Sequence, residues 1–185
     1  MSDLKGIRVA ILATDGVEQS ELTEPRKFLK LLGAETTLIS PKSGEIQAMQ
    51  HHEKGDMIPV DRPLGGANAA DYDAVLLPGG AMNADALRMS EEARRFVREA
   101  DRAEKPLAVI CHAPWLLASA GLVKGRTMTS YRTIQDDLRN AGADWKDEEV
   151  VRDKNWVTSR QPSDIPAFNR AFAELLTRVL QKRAA

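Results

Sequence analysis

Three short apolar runs limit what this chain can fold into. Ile7 to Ala13, Ala74 to Leu77 and Leu107 to Ile110 suit buried strands, and each stops abruptly on turn or polar residues. Thr14-Asp15-Gly16 closes the first, Pro78-Gly79-Gly80 the second and Cys111-His112 the third. Segments of helical period lie between them. Over Ser20 to Leu32, Phe28, Leu29 and Leu32 share a face, Gly33 is placed as a stop, and Pro25 predicts a kink or a restarted helix. Glu91 to Lys105 sets Ala93, Phe96, Val97 and Ala100 on one face. Thr36 to Ser40 reads as a further strand, and residues 44–64 as a hairpin excursion. Two more strands are expected near Glu149-Arg152 and Trp156-Ser159, and a closing helix from Ser163 through Phe168, Phe172, Leu175, Leu176 and Val179. Alternating strand and helix predict an α/β sandwich, a mostly parallel sheet with helices on both faces. At 185 residues the expectation is one domain, 1–185.

Lys plus Arg number 26 and Asp plus Glu 27, a net charge of −1 with no segment dominated by either sign. That argues against nucleic-acid and membrane-surface partners. The single cysteine forms no internal disulfide. Met1 to Gly6 has no apolar signal-peptide core and no membrane-length apolar stretch follows, so a cytoplasmic location is expected.

In an open parallel sheet the active site lies outside the carboxyl ends of the strands. The three strand exits therefore converge at one rim. Cys111 sits where a strand runs into a helix, as in a nucleophile elbow, where backbone strain and a lowered thiol pKa are expected. The competing reading is a buried cysteine acting as a small hydrophobe. His112 tips the balance: adjacent side chains diverge in a regular strand, whereas a strained turn brings thiol and imidazole over one space. Glu18, if buried and protonated, would donate a hydrogen bond to the sulfur; otherwise it is an acid at a helix start. The amides of Gly79, Gly80 and His112 are candidates for an oxyanion site. His51 and His52 are adjacent, and with one cysteine they leave little to build a metal site, so neither metal nor cofactor is expected.

Several ordered segments together are similar to the PfpI family, within the class I glutamine amidotransferase-like superfamily. They are Asp15 to Leu22, Leu77 to Gly80, Val109 to Pro114 with Ala120-Gly121-Leu122, Thr129-Ser130-Tyr131, Asp136 to Ala143 and Asn155 to Arg160. The resemblance implies a flavodoxin-like sandwich assembled as dimers or higher oligomers, with the site near a subunit boundary. It makes Cys111 the nucleophile, His112 its partner, Glu18 the carboxyl group touching the sulfur and Tyr131 a neighbour of the site. Asp85 would be the acid that reaches the histidine of an adjacent subunit. Family members have been described as proteases, cofactor-independent glyoxalases acting on methylglyoxal, protein deglycases and stress-protective chaperones. The leading expectation is a stress-response cysteine enzyme acting on reactive 2-oxoaldehydes or glycated protein adducts. An intracellular peptidase is the alternative, and a chaperone or a peroxide sensor working through Cys111 is the non-enzymatic one.

Overall fold

The computed structural model describes residues 3–184. Met1 and Ser2, the head of the segment read for a targeting signal, lie outside the described residues, as does Ala185. From the N-terminus, β1 (Arg8–Leu12) leads through the short β2 (Val17–Glu18) into α1 (Gln19–Leu31). Next come β3 (Glu35–Ser40), the hairpin β4 (Glu45–Gln50) and β5 (Glu53–Pro59), and β6 (Arg62–Pro63). β7 (Ala74–Leu77) precedes α2 (Ala81–Met89) and α3 (Glu91–Arg102), and β8 (Leu107–Ile110) precedes α4 (Pro114–Ser119). The chain closes with β9 (Thr127–Met128), α5 (Gln135–Asn140), β10 (Asp144–Trp145), β11 (Val150–Asp153), β12 (Trp156–Ser159) and α6 (Ile165–Ala184).

Seven strands form the central sheet in the order β11-β12-β8-β7-β1-β3-β6. Every neighbouring pair is parallel except β11 with β12. Strand alternation feeds two cores. Ala10, Leu12, Val75, Leu77, Leu107 and Val109 face α2, α3, α4 and α5. Val9, Ile11, Ala74, Leu76, Ala108 and Ile110 face α1, α6 and the β4–β5 hairpin. Burial on both faces explains why these strands read as continuous apolar runs rather than alternating ones. Cys111 belongs to the α1–α6 side.

Two expectations change. Helix α1 runs unbroken through Pro25, which is buried inside it. The ring removes one backbone donor, and packing of Leu22 and Leu29 into the core offsets that loss. Ser163 lies in a 3₁₀ turn, Pro162–Asp164, ahead of α6 rather than starting it. Helices α2 and α5, of nine and six residues, and the two-residue strands β2, β9 and β10 are too short to register as periodic segments. No described helix is long and apolar enough to cross a membrane.

Candidate active site

Beyond the end of β8, Cys111 takes φ 64°, a left-handed conformation for a non-glycine residue. Such a conformation costs about 1–3 kcal/mol and persists only where the surroundings over-determine it. They do so here from both sides. The Cys111 N–H donates to the Ser159 carbonyl at 3.1 Å, and the Cys111 carbonyl accepts from the Tyr131 N–H at 2.8 Å. The twist brings Sγ within 3.2 Å of His112 Nδ1, so the elbow is present. The imidazole is stacked on Tyr131, centroids 4.8 Å apart, and meets the edge of Trp115 at 5.4 Å. Trp115 is fixed in turn, its Nε1–H donating to Asp137 at 2.8 Å.

The carboxyl group beside the sulfur is Glu21, not Glu18. Glu21 projects from the first turn of α1, is fully buried, and interacts with the Cys111 thiol. Its Oε2 accepts from the Gly79 N–H at 2.8 Å, while Oε1 has no nitrogen or oxygen partner. Glu18, at the end of β2, is only half-buried. It lines the mouth of the same pocket and accepts the His51 N–H at 3.1 Å. The physical reason is helical phase: the buried residues Glu21, Pro25 and Leu29 follow at intervals of four, and Glu18 precedes the helix. Reading the stripe backward from Leu29 and Pro25 would have found Glu21.

The Gly-Gly turn is also divided. A side chain at Gly79 would strike Glu21 and approach the Cys111 Cβ to 2.6 Å, so glycine is required by close approach. Because its amide is taken by Glu21, Gly79 is withdrawn as a substrate-binding donor. The Gly80 and His112 amides instead donate to the sulfur. Gly80 itself adopts φ 93° and packs against the carbonyl of Gly16 and the backbone nitrogen of Glu18. Buried Asn83 accepts from the Thr14 N–H at 2.7 Å and donates to the carbonyls of Pro78 and Gly79, tying two strand exits together. No sequence pattern marked it.

Burial sets the electrostatics. Desolvation holds the Glu21 carboxyl at a pKa of about 8, so it keeps its proton at neutral pH. Burial pushes the Cys111 thiol up, and Glu21 pushes it further once that carboxyl ionises, against the pull of two amides. The expected low-pKa thiolate is thereby corrected: α4 is a six-residue helix that starts three residues later, too little to offset burial. Burial also lowers the His112 pKa, leaving a neutral imidazole able to take a proton.

These groups open into a pocket of about 780 Å³ whose lining includes Glu18, Glu21, Cys111, His112, Tyr131 and Gly80. His51 and His52 reach it from the hairpin tip. Asp85 is exposed on α2, outside that lining. Among the described residues no group of three or more His, Cys, Asp or Glu is placed to hold a metal. A second groove of about 540 Å³, along α1 and β5, carries Arg26, Lys27 and Lys30 but no thiol or imidazole.

Comparison with known proteins gives the family and the fold. The model of the DJ-1/PfpI family matches residues 7–175. A putative cysteine protease, YraA, of Bacillus subtilis is 39% identical over 91% of this chain and 98% of its own. Deglycase TK1284 of Thermococcus kodakarensis is 41% identical over 92% of this chain and 99% of its own. Protein/nucleic acid deglycase 2 of Escherichia coli is 39% identical over 91% of this chain and 97% of its own. Among solved structures, DJ-1beta of Drosophila melanogaster superposes with a TM-score of 0.83 at 25% identity, covering 100% of this chain and 99% of that one.

Proposed function

We propose, from the premise that this chain belongs to the DJ-1/PfpI family, that it is a cofactor-independent cysteine enzyme acting on 2-oxoaldehydes and on their adducts with proteins. The observation that carries the reading is the cluster of buried Cys111 and Glu21 with half-buried His112, in which the acid is neutral and the imidazole is free to accept a proton.

Sγ adds to the aldehyde carbon, its proton passes to His112, and the carbonyl π pair becomes an oxyanion. Reprotonation gives a hemithioacetal. The hydrogen of that carbon is then removed as a proton by His112 and returned to the adjacent ketone carbon, so one carbon is oxidised and its neighbour reduced. The result is a thioester, and water cleaves it to a 2-hydroxy acid and free Cys111. A neutral Glu21 supports each thiolate stage, because it places no second negative charge beside the sulfur and supplies a hydrogen-bond donor. An adduct joins the same route once its C–N bond breaks, with the carbinol proton returning to the departing nitrogen.

A peptidase would use the same thiol, and the name of the Bacillus subtilis relative points that way. It calls for an acid that orients the histidine, and among the described residues the side-chain hydrogen bond of His112 is to Cys111 rather than to a carboxylate. Exposed Asp85 would supply one only from a second copy, so self-association is part of that reading. Turnover of methylglyoxal, a methylglyoxal-modified peptide and casein by one preparation separates the two. Casein cleavage lost in Cys111→Ser, without aldehyde turnover, overturns the aldehyde reading.

A further inference from the structure

The outer torsion of a histidine side chain is broad and close to two-fold, so a half-turn of the His112 ring would put a carbon where Nδ1 now meets Sγ. A hydrogen bond from the second ring nitrogen ordinarily fixes the orientation. Among the described residues the side-chain hydrogen bond of His112 is to Cys111, so packing has to set the ring instead. Tyr131 covers one face, its ring inclined by 27°, and Trp115 closes another side at 65°. Tyr131 lines the pocket, whereas Trp115 lies outside that lining and backs the imidazole from behind. The indole is itself held by three helices. It stands on α4, its Nε1–H donates to Asp137 of α5 at 2.8 Å, and the Arg88 guanidinium of α2 lies over its ring at 5.2 Å. Arg88 is tethered in turn, its Nε donating to Ser119 Oγ at 3.0 Å. The hydrogen bond fixes rotation of the indole in its own plane, and the cation over its face fixes the tilt.

We propose that Trp115 is the positioning residue of this site: anchored by Asp137, it holds the His112 ring with Nδ1 on Sγ, the task that a hydrogen-bonded acid would otherwise perform. The proposal rests on the reading of His112 as the proton acceptor of the aldehyde reaction, and deepens it by naming what aims that acceptor. With the indole loosened the ring gains a second orientation, in which no base stands at the sulfur. Loss of aim lowers the competent fraction of the enzyme, which is an effect on kcat. Substrate affinity is spared, because Trp115 is outside the pocket lining. Asp137 is exposed and belongs to another helix, so its influence on the sulfur passes through the indole. Losing Asp137 and losing the indole N–H are therefore one lesion, and combining them adds nothing.

The test uses methylglyoxal turnover by Trp115→Phe, which drops the N–H, Asp137→Ala, which drops its acceptor, and Asp137→Asn, which keeps an acceptor in Oδ1. The first two should lower kcat by roughly ten- to a hundredfold with KM held within about twofold, and Asp137→Asn should stay near wild type. The double variant, Trp115→Phe with Asp137→Ala, should be no slower than the slower single one. Melting temperatures check folding, and Asp137→Ala, a change at an exposed position, decides the matter if Trp115→Phe unfolds. A wild-type kcat in Asp137→Ala, a loss that appears in KM alone, or multiplied losses in the double variant overturn the proposal. Iodoacetamide alkylation of Cys111 separates it from the aldehyde reaction, since a displaced imidazole no longer takes the thiol proton. Slower alkylation in both single variants, with no turnover by wild type, sinks the aldehyde reading and leaves the positioning role standing. Alkylation as fast as in wild type, or faster, overturns that role.

Discussion

Arg126 and Cys111 mark opposite ends of the same strands, and the two ends treat buried charge differently. Before β8 and β12 begin, Arg126 is packed over the Trp156 ring at 3.8 Å, with Asp101 at 3.4 Å, Asp153 at 3.6 Å and Asn155 Oδ1 at 2.9 Å. Asp101 also accepts from Trp156 Nε1 at 2.7 Å and from Asn155 Nδ2 at 3.1 Å. Beyond the carboxyl ends, Glu21 and Cys111 meet in a pocket lined by no lysine or arginine, and one carboxyl oxygen is left unpartnered. The first end sets a guanidinium between its two carboxylates and holds the fold; the second leaves acidity without a counter-ion, and the protein answers by keeping protons on. Buried charge set against a counter-ion is structural, whereas buried acidity without a counter-ion is a store of reactivity.

The largest effect that sharpens this contrast is on turnover. Cys111→Ser should lower methylglyoxal consumption by at least about a thousandfold, since an alcohol replaces the sulfur nucleophile. Residual activity near wild type would move the chemistry elsewhere. At the other end, Arg126→Met strands two carboxylates and should cost roughly 3–5 kcal/mol in urea unfolding, with the activity of the folded fraction retained. A neutral outcome would erase the distinction between the ends.

Glu21→Gln tests the unmet acidity through pH. The folded pKa of Glu21, about 8, lies above its ordinary 4.5, so the folded state binds the extra proton between those values. Stability from this group is full below pH 4.5, falls as pH rises to about 8, and is flat beyond. The variant should lose that slope and exceed wild type above pH 8 by on the order of 5 kcal/mol. Parallel pH profiles would place the proton elsewhere. Gly79→Ala pushes a methyl into Glu21 and Cys111, and about 1–3 kcal/mol of lost stability, with slower alkylation of the thiol, is expected. Smallest of all, Asp85→Asn should shift stability by less than about 0.5 kcal/mol, as befits an exposed site. A fall in its turnover that coincides with sedimentation as an oligomer would show that Asp85 serves a neighbouring subunit.

The chain's apolar runs and their abrupt endings were enough to place the sheet and its three chemical exits, and with them Cys111 and His112, because burial on both faces and the turn at each strand end are local signals. Family membership was legible too, in motifs spread from Asp15 to Arg160. Only the tertiary structure chose between Glu18 and Glu21, three residues apart in sequence. It decided that the Gly79 amide serves the acid, that Asn83 joins two exits, and that Trp115 is held by Asp137. It also reversed the expected direction of the thiol pKa. Each of these depends on which groups face one another across segments distant in the chain, and on how much water packing has removed from between them, and neither quantity is written in the order of the residues.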